Sequence, residues 1–362
     1  MRVLRILAGP VARRHLRERG LRASDVGVVV GAAAGPKGLA LNGLDRFLFG
    51  HWLGQGGHVV HLLGASIGAW RFAHACLPDA DAALAQLAHD YIHESYAHPD
   101  GGWPPAAHVS AVMRRRLESH FAGREAQLLA HPRYRLHAFT SRGCHPWFAP
   151  GAAWRTWALY GGALAANTVS RHAMAAFLER VVFSDPRDPL PLALLDYRTQ
   201  QVPLGQDNLR DAVLASCSIP FWLEPVRDIA GAPAGAYWDG GITDYHLHLD
   251  YASMRAATPR SPLVLYPHLQ ATVVPGWLDK GLRHRHRATA RLDNVVLVVP
   301  HEEWVRTLPD GKLPDRSDFK RHARQETARV RAWTTAVAES ERLGAEFAAL
   351  VGRDTIEAEP LV

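Results

Sequence analysis

The sequence has few cysteines, few lysines and no long hydrophobic run. Its 362 residues include three widely spaced cysteines that form no CxxC pair, Cys76, Cys144 and Cys217. This pattern argues against a disulfide framework or a structural zinc site, and it fits a reducing compartment. No stretch of about 18 apolar, uncharged residues occurs, so we expect no membrane-spanning helix. The apolar run near the N-terminus is too short for a secretory signal, and we therefore expect a cytoplasmic protein.

The basic residues are nearly all arginine. Lysine supplies only four of the 41 basic side chains, and the formal net charge is +6. Arginines are concentrated in residues 13–22, 283–291 and 316–331. Such clusters attract nucleic acid or anionic lipid, although genomic composition alone is the other explanation of an arginine excess. Because no nucleic-acid-binding motif accompanies them, we expect no nucleic-acid partner and propose peripheral contact with an anionic membrane.

Short apolar runs alternate with helical patterns along the chain. The run VGVVVG at residues 26–31 predicts a buried parallel strand, and HVVHLLG at residues 58–64 predicts a second one. A helical pattern follows each run, which predicts an α/β fold with a mostly parallel central sheet flanked by helices. Further strands are predicted at 134–141, 181–185, 262–266 and 294–300. Helices are predicted at 10–19 and 207–217, the second capped by Asp207.

No repeat, low-complexity segment or linker divides the sequence. We therefore expect one domain over residues 1–362, with a core at about 24–250. A helical insertion is predicted at about 81–131 and a long amphipathic C-terminal helix at about 318–351.

The segment Gly64-Ala65-Ser66-Ile67-Gly68 fits the pattern G-x-S-x-G. It lies between a predicted strand and a predicted helix, where this pattern forms a sharp turn that exposes the serine hydroxyl. The residues two before and two after the serine must be small to avoid a collision. The N-terminal end of the following helix favours developing negative charge. Ser66 is therefore the candidate nucleophile, with Gly64 and Gly68 in support.

A second loop of small residues, Gly31-Ala32-Ala33-Ala34-Gly35-Pro36-Lys37-Gly38, also joins a strand to a helix. It matches neither a P-loop nor G-x-G-x-x-G. Small residues allow backbone amides to approach an anion, so we predict an oxyanion hole formed by Ala33, Ala34 and Gly35. Gly31, Lys37 and Gly38 would support it. The alternative is a tight structural turn.

A third motif, Trp238-Asp239-Gly240-Gly241-Ile242, follows an aromatic strand-like segment. It places a carboxylate at a strand end, with backbone close to it at Gly240 and Gly241. A plain turn is the alternative interpretation.

In this order the three motifs resemble those of the patatin-like phospholipase family, which has an oxyanion loop, then G-x-S-x-G, then Asp-Gly-Gly or Asp-Gly-Ala. The block Ala212–Pro220 is similar to the helix-then-proline block of the family, and the resemblance covers about residues 26–250. Alanines at 32–34, where the family usually has glycines, indicate a divergent, bacterial-type branch. The resemblance implies a three-layer patatin-like fold and hydrolysis of lipid acyl esters by a Ser–Asp dyad, with Ser66 as nucleophile and Asp239 as base. It implies no cofactor, no metal and no catalytic histidine.

Three other functions remain open at this point. An α/β-hydrolase would use a Ser-Asp-His triad with His246, His248 or His268. A metallohydrolase would use the segment His246–Asp250, which matches part of an H-x-H-x-D site. A non-catalytic lipid-binding protein would keep the fold without the chemistry.

The aromatic segment 147–157 is the candidate acyl-pocket wall or interfacial lid, unless its rings are ordinary core residues. Phospholipase, lysophospholipase, neutral-lipid esterase and thioesterase activities are all compatible with the motifs.

Overall fold

The computed structural model describes residues 1–96, 104–144, 153–254, 258, 260–322 and 325–362. Within these ranges the strands are β1 (Leu4–Ala8), β2 (Val26–Gly31), β3 (Val60–Ala65), β4 (Tyr134–Gly143), β5 (Leu178–Ser184), β6 (Thr199–Pro203), β7 (Ala236–Asp239), β8 (Leu263–Pro267), β9 (Val295–Pro300) and β10 (Glu359–Pro360).

The α-helices of the same ranges vary from one turn to seven turns. They are α1 (Pro10–Arg19), α2 (Asn42–Phe47), α3 (Ile67–Ala75), α4 (Ala80–Ile92), α5 (Ala106–Phe121), α6 (Glu125–Leu129), α7 (Ala153–Val169), α8 (Arg171–Met174), α9 (Leu209–Cys217), α10 (Gly241–Asp244), α11 (Glu302–Thr307), α12 (Ser317–Arg321) and α13 (Glu326–Val351). A 3-10 helix, Gly35–Leu41, precedes α2. None of the described helices is long and apolar enough to cross a membrane.

One sheet contains all of these strands, in the order β10-β1-β9-β8-β2-β3-β4-β5-β6, and β7 pairs with β4 beside this path. The centre of the sheet, β9-β8-β2-β3-β4, is parallel. The antiparallel pairs are β1 with β9, β4 with β5 and β4 with β7. The predicted α/β fold with a mostly parallel central sheet is confirmed.

Apolar side chains cover both faces of the sheet, as expected for parallel strands between two layers. In β9, Val296 and Val298 pack against the helical layer that includes α3, α9 and α13. Val295, Leu297 and Val299 point to the opposite face, where they meet side chains of residues 247–254 and 273–292. This alternation follows from the two-residue period of a strand.

The sheet extends beyond the predicted core of 24–250. Strand β1 was not predicted, since Leu4–Ala8 is short and contains Arg5. Its partners come from distant parts of the chain, because β1 pairs with β9 and β10. Arg5 forms an ion pair at 2.5 Å with Glu359 of β10, so this edge of the sheet joins both ends of the chain.

Two details of the predicted helices are wrong. Helix α9 begins after Asn208, whose side-chain oxygen accepts a hydrogen bond from the Gly205 amide at 2.9 Å, and Asp207 does not cap it. The C-terminal helix predicted at 318–351 is two helices, α12 and α13. Helix α12 folds back on α13, because the Trp333 indole donates a hydrogen bond to Asp318 at 2.9 Å.

Helices α4, α5 and α6 lie between residues 80 and 129, where the helical insertion was predicted at about 81–131. The first part of the aromatic segment, residues 147–152, lies outside the described residues, and its second part opens α7.

Candidate active site

Ser66 occupies the turn between β3 and α3. Its φ of 56° and ψ of −129° lie outside the regions that ordinary residues adopt, and it is 3% exposed. Strained backbone of this kind is costly and is often found at functional sites. The sharp turn predicted from G-x-S-x-G is therefore present, with Ser66 at its tip.

Small residues are required around this turn by close backbone packing. A Cβ added at Gly68 would lie 2.0 Å from the carbonyl oxygen of Gly31, the last residue of β2. Five other predicted glycines share this crowding, since a Cβ on each would come within 3.0 Å of a neighbouring atom: Gly31, Gly38, Gly64, Gly240 and Gly241. The loop after β2 is thus pressed against the turn that carries Ser66.

Asp239 reaches Ser66 because two strands meet end to end along β4. Strand β3 runs parallel to β4 and ends with Ala65 opposite Phe139. Strand β7 runs antiparallel to β4 and ends with Asp239 opposite Thr140. Since Phe139 and Thr140 are consecutive, the residues at the ends of β3 and β7 become neighbours.

The Ser66 hydroxyl donates a hydrogen bond directly to Asp239, with 2.6 Å between Oγ and Oδ2. The other carboxylate oxygen, Oδ1, accepts the Gly241 amide at 2.7 Å. Burial raises the pKa of Asp239, and the hydrogen bonds from Ser66 and Gly241 and the charges of Arg316 and Lys280 oppose this rise. The carboxylate is therefore oriented on one side and free to take a proton on the other.

Ser216, at the end of α9, ties both halves of the site to β4. Its hydroxyl accepts the Ser66 amide at 2.8 Å and donates to the Phe139 carbonyl at 2.7 Å. The carbonyls of Ser216 and Ser218 accept the amides of Gly240 and Asp239, at 3.1 Å and 2.8 Å. The block Ala212–Pro220 thus positions the turn that carries Ser66 and the Asp-Gly-Gly turn together.

The loop after β2 corrects one predicted oxyanion donor. The Ala33 amide donates to the Tyr245 carbonyl at 2.9 Å, so it is already engaged. Ala34 and Gly35 precede and open the 3-10 helix, and among the described residues their amides have no acceptor. Gly35 has a φ of +56°, which disfavours any residue with a side chain. Only Ala34 and Gly35 therefore remain candidate donors.

Comparison with known proteins places these motifs in a family. The family model of patatin-like phospholipases matches residues 37–247, more than half of the chain. The chain belongs to the patatin-like phospholipase family. Among solved structures, human GIVD cytosolic phospholipase A2 is similar, with a TM-score of 0.42, 11% sequence identity and coverage of 94% of this chain. The chain spans 62% of the length of that phospholipase. No curated protein matches it in sequence.

Two cavities of this patatin-like chain meet at Ser66, and Gly35, Ile219 and Arg316 line both. The first, called the apolar cavity, has about 50 Å³ and is lined mainly by apolar side chains: Ile67, Trp70, Tyr91, Val109, Met113, Trp222, Leu223 and Phe319. The second, called the polar cavity, has about 310 Å³ and carries most of the charge near the site, on Lys37, Asp239, Lys280, Asp315 and Arg316.

The histidines considered for a triad lie elsewhere in the patatin-like fold. His246 and His268 form a buried pair, with 3.2 Å between their ring nitrogens, and His246 also accepts the Val274 amide. His248 faces Thr289. In the described residues no histidine forms a hydrogen bond with Ser66 or Asp239.

One cluster in the described part of the chain brings three possible metal ligands within 4.8 Å of one another, and it is not His246–Asp250. It consists of Asp310, Asp318 and His322. Lys312 and Arg321 already pair with its two carboxylates. The cluster is therefore neutralised by the chain itself.

Sequence reasoning missed Ser216, Tyr245, Lys280 and Arg316 as parts of the site. Ser216 was within a block already quoted for the resemblance, and Arg316 was within an arginine cluster. Lys280 and Arg316 lie outside the range that the patatin-like family model matches. Nothing local in the sequence distinguishes either residue from other surface cations.

Proposed function

We propose that the protein hydrolyses carboxylic esters of lipids, with Ser66 as nucleophile and Asp239 as general base. Membership in the patatin-like phospholipase family supports a lipid acyl hydrolase. The observation that carries the assignment of roles is the direct 2.6 Å hydrogen bond from Ser66 Oγ to Asp239 Oδ2 at the junction of two cavities. An activated nucleophile needs an adjacent base within this reach.

In the first half of the reaction, Asp239 takes the hydroxyl proton while Ser66 Oγ attacks the ester carbonyl carbon. The carbonyl oxygen becomes an oxyanion, and the amides of Ala34 and Gly35 donate hydrogen bonds to it. The tetrahedral intermediate then collapses. The protonated Asp239 gives its proton to the leaving alcohol, and an acyl-enzyme on Ser66 remains.

In the second half, Asp239 removes a proton from water, which attacks the acyl carbon. Collapse of the second intermediate returns the proton to Ser66 Oγ and releases the fatty acid. Burial of Asp239 supports both steps, because a raised pKa makes a carboxylate a stronger base near neutral pH. The apolar cavity would hold the acyl chain and the polar cavity the leaving group.

We further propose that the lipid is met at a membrane surface beside α7. Trp154 and Trp157 are 58% and 63% exposed. Trp157 stacks on Phe221 at 3.8 Å between ring centroids. Phe221 lies between Pro220, which lines the polar cavity, and Trp222, which lines the apolar cavity. Exposed tryptophans of this kind suit the boundary between water and acyl chains.

The proposed nucleophile is tested with a soluble p-nitrophenyl ester and a fluorophosphonate probe. Ser66→Ala is expected to remain folded, lose hydrolysis and lose labelling. Ser218→Ala is the matched control, because among the described residues the Ser218 hydroxyl has one hydrogen-bond partner, the Leu214 carbonyl. Labelling of another serine, or turnover by Ser66→Ala, would contradict the assignment. Absence of hydrolysis and labelling in the wild type would favour a lipid-binding protein.

The dyad is separated from a triad by His246→Ala and His268→Ala. A dyad predicts that each folded variant keeps most of its hydrolytic activity. In a triad the members act as a unit, so one of these variants would be as damaged as Ser66→Ala.

A further inference from the structure

The two cavities that meet at Ser66 are very unequal in size. The polar cavity, assigned above to the leaving group, has about 310 Å³, whereas the apolar cavity, assigned to the acyl chain, has about 50 Å³. A dry apolar cavity of about 150 Å³ holds one molecule of benzene. By that measure the apolar cavity has room for about two carbon atoms of an acyl chain.

Aromatic rings form much of the wall of the apolar cavity, on Trp70, Tyr91, Tyr96 and Phe319. The ring centroids of Trp70 and Tyr91 are 6.0 Å apart, and those of Tyr96 and Phe319 are 5.4 Å apart. Both pairs rest on the buried Trp333, whose ring lies 6.2 Å from that of Tyr91 and 5.2 Å from that of Phe319. A ring that turned away would lose contacts with its neighbours, so this wall resists lengthening of the cavity.

Helix α5 supplies an aliphatic part of the same wall. Val109 and Met113 lie one turn apart on this helix, and both line the cavity. Both are buried, and the Tyr96 hydroxyl donates a hydrogen bond to the Met113 sulfur at 3.8 Å. Methionine is unbranched and fills irregular gaps in a core. The Met113 side chain therefore occupies space that a longer acyl chain would need.

From this geometry we infer that the site is selective for short acyl groups, from acetyl to butyryl, and that Met113 sets this limit. The inference rests on the proposed function, since the apolar cavity is where the acyl chain would lie. The first carbon beyond the carbonyl group would lie at the mouth of the cavity beside Ser66, and the next two would fill it. The larger polar cavity leaves room for a bulkier alcohol.

Two opposing effects set the expected dependence on chain length. Each methylene that enters the cavity is expected to raise kcat/KM about fourfold, through the burial of apolar surface. A chain that does not fit must displace packed side chains, which is expected to lower kcat/KM roughly tenfold or more.

The inference is tested with the p-nitrophenyl esters of acetate, butyrate, hexanoate and octanoate. All four are used as monomers, so that membrane binding plays no part. Each kcat/KM is divided by the rate constant of the same ester with hydroxide, which removes differences in intrinsic reactivity. For the wild type we expect a maximum at butyrate and a value for octanoate that is lower by roughly tenfold or more.

Two substitutions in α5 are expected to shift this profile in opposite directions. Met113→Ala enlarges the cavity and is expected to raise the ratio of octanoate to butyrate activity by roughly tenfold or more. Val109→Leu adds one carbon to the same wall and is expected to lower the ratio of butyrate to acetate activity about fourfold. The second variant keeps the test open if Met113→Ala does not fold.

Met254→Ala is the matched control. Met254 is fully buried on the opposite face of the sheet and lines neither cavity. The same truncation is therefore expected to lower thermal stability and to leave both activity ratios unchanged. A change of chain-length preference in Met113→Ala alone would thus come from the cavity and not from a loosened fold.

Failure of this inference and failure of the proposed function give different results. A wild-type maximum at octanoate, or a profile unchanged in the folded α5 variants, would overturn the inference while hydrolysis itself stands. Activity of Ser66→Ala would overturn the proposed function instead. If the wild type hydrolyses none of the esters, calorimetric binding of butyrate and octanoate decides. Tighter binding of butyrate supports the inference, and binding of octanoate that is equal or tighter contradicts it.

Discussion

Replacement of Asp239 by asparagine is expected to change the catalytic rate and the stability of the fold in opposite directions. Asparagine has nearly the same shape and keeps an oxygen for the Gly241 amide, but it cannot take the Ser66 proton. Loss of a general base usually costs roughly 10²- to 10⁴-fold in rate, which is about 3–5 kcal/mol of activation free energy. We therefore expect kcat for a p-nitrophenyl ester to fall by at least 10²-fold.

The same substitution is expected to stabilise the fold. Burial raises the pKa of Asp239, so at neutral pH the folded chain holds a charge that the unfolded chain accommodates more easily. Each tenfold change in proton affinity between the two states is worth about 1.4 kcal/mol. The free energy of unfolding in urea at pH 7 should thus be higher for Asp239→Asn. Wild-type stability should also rise as the pH falls through the raised pKa of Asp239 toward the ordinary carboxyl value, because the folded chain binds the proton first. The variant should lack this component.

Asp244→Asn, five residues away, is the matched control. We expect this substitution to lower the free energy of unfolding and to leave the catalytic rate unchanged. Asp244 pairs through both oxygens with Arg180, at 2.5 Å and 2.8 Å, and Arg180 is fully buried. Removal of one partner from a buried pair costs about 3–5 kcal/mol, and Asp196 retains part of the compensation here. Asp244→Asn should unfold earlier and keep its activity below its transition. The reasoning is refuted if folded Asp239→Asn retains a tenth of wild-type kcat, or if both variants lose stability.

Three further predictions follow from the site. Because Gly35 has a positive φ, Gly35→Ala should lower the free energy of unfolding by about 1–2 kcal/mol. Its kcat should also fall more than tenfold. An unchanged kcat would exclude this loop from the oxyanion hole. The kcat/KM for a neutral ester should fall as the pH is lowered, with a midpoint above ~3.9, the ordinary carboxyl value, because burial raises the pKa of Asp239. A midpoint at or below that value would contradict the role of Asp239 as the base. Co-sedimentation with vesicles should rise with the fraction of anionic lipid and fall with added salt, because salt screens exposed charges. It should also weaken in Trp157→Ser, since this side chain is exposed. Equal binding to neutral and anionic vesicles would contradict electrostatic attraction to the membrane.

The central strands and the three motifs were predictable because their signals are local. The run VGVVVG forms β2 over the predicted residues, since a continuous apolar run is what a strand buried on both faces requires. The turn at Ser66 was predictable because small residues must surround a sharp strand-to-helix connection. Asp239 was predictable from its position at the end of an aromatic strand and from the resemblance.

The features that were missed depend on partners far away in sequence. Strand β1 exists because β9 and β10 pair with it. The Ala33 amide is unsuitable as a donor only because the Tyr245 carbonyl reaches it. Lys280 and Arg316 enter the site through tertiary packing, and no local pattern marks the cavity that they share.

The end-to-end meeting of β3 and β7 on β4 also bears on how freely the protein tolerates changes in length. The distance between Ser66 and Asp239 is set by the adjacent positions Phe139 and Thr140, not by the 173 residues that separate the pair in sequence. Lengthening or shortening connections away from β4 therefore leaves the Ser66 and Asp239 side chains in register. A single residue added within β4 between Phe139 and Thr140 would move the two groups apart by about 3.3 Å, the rise of one strand residue.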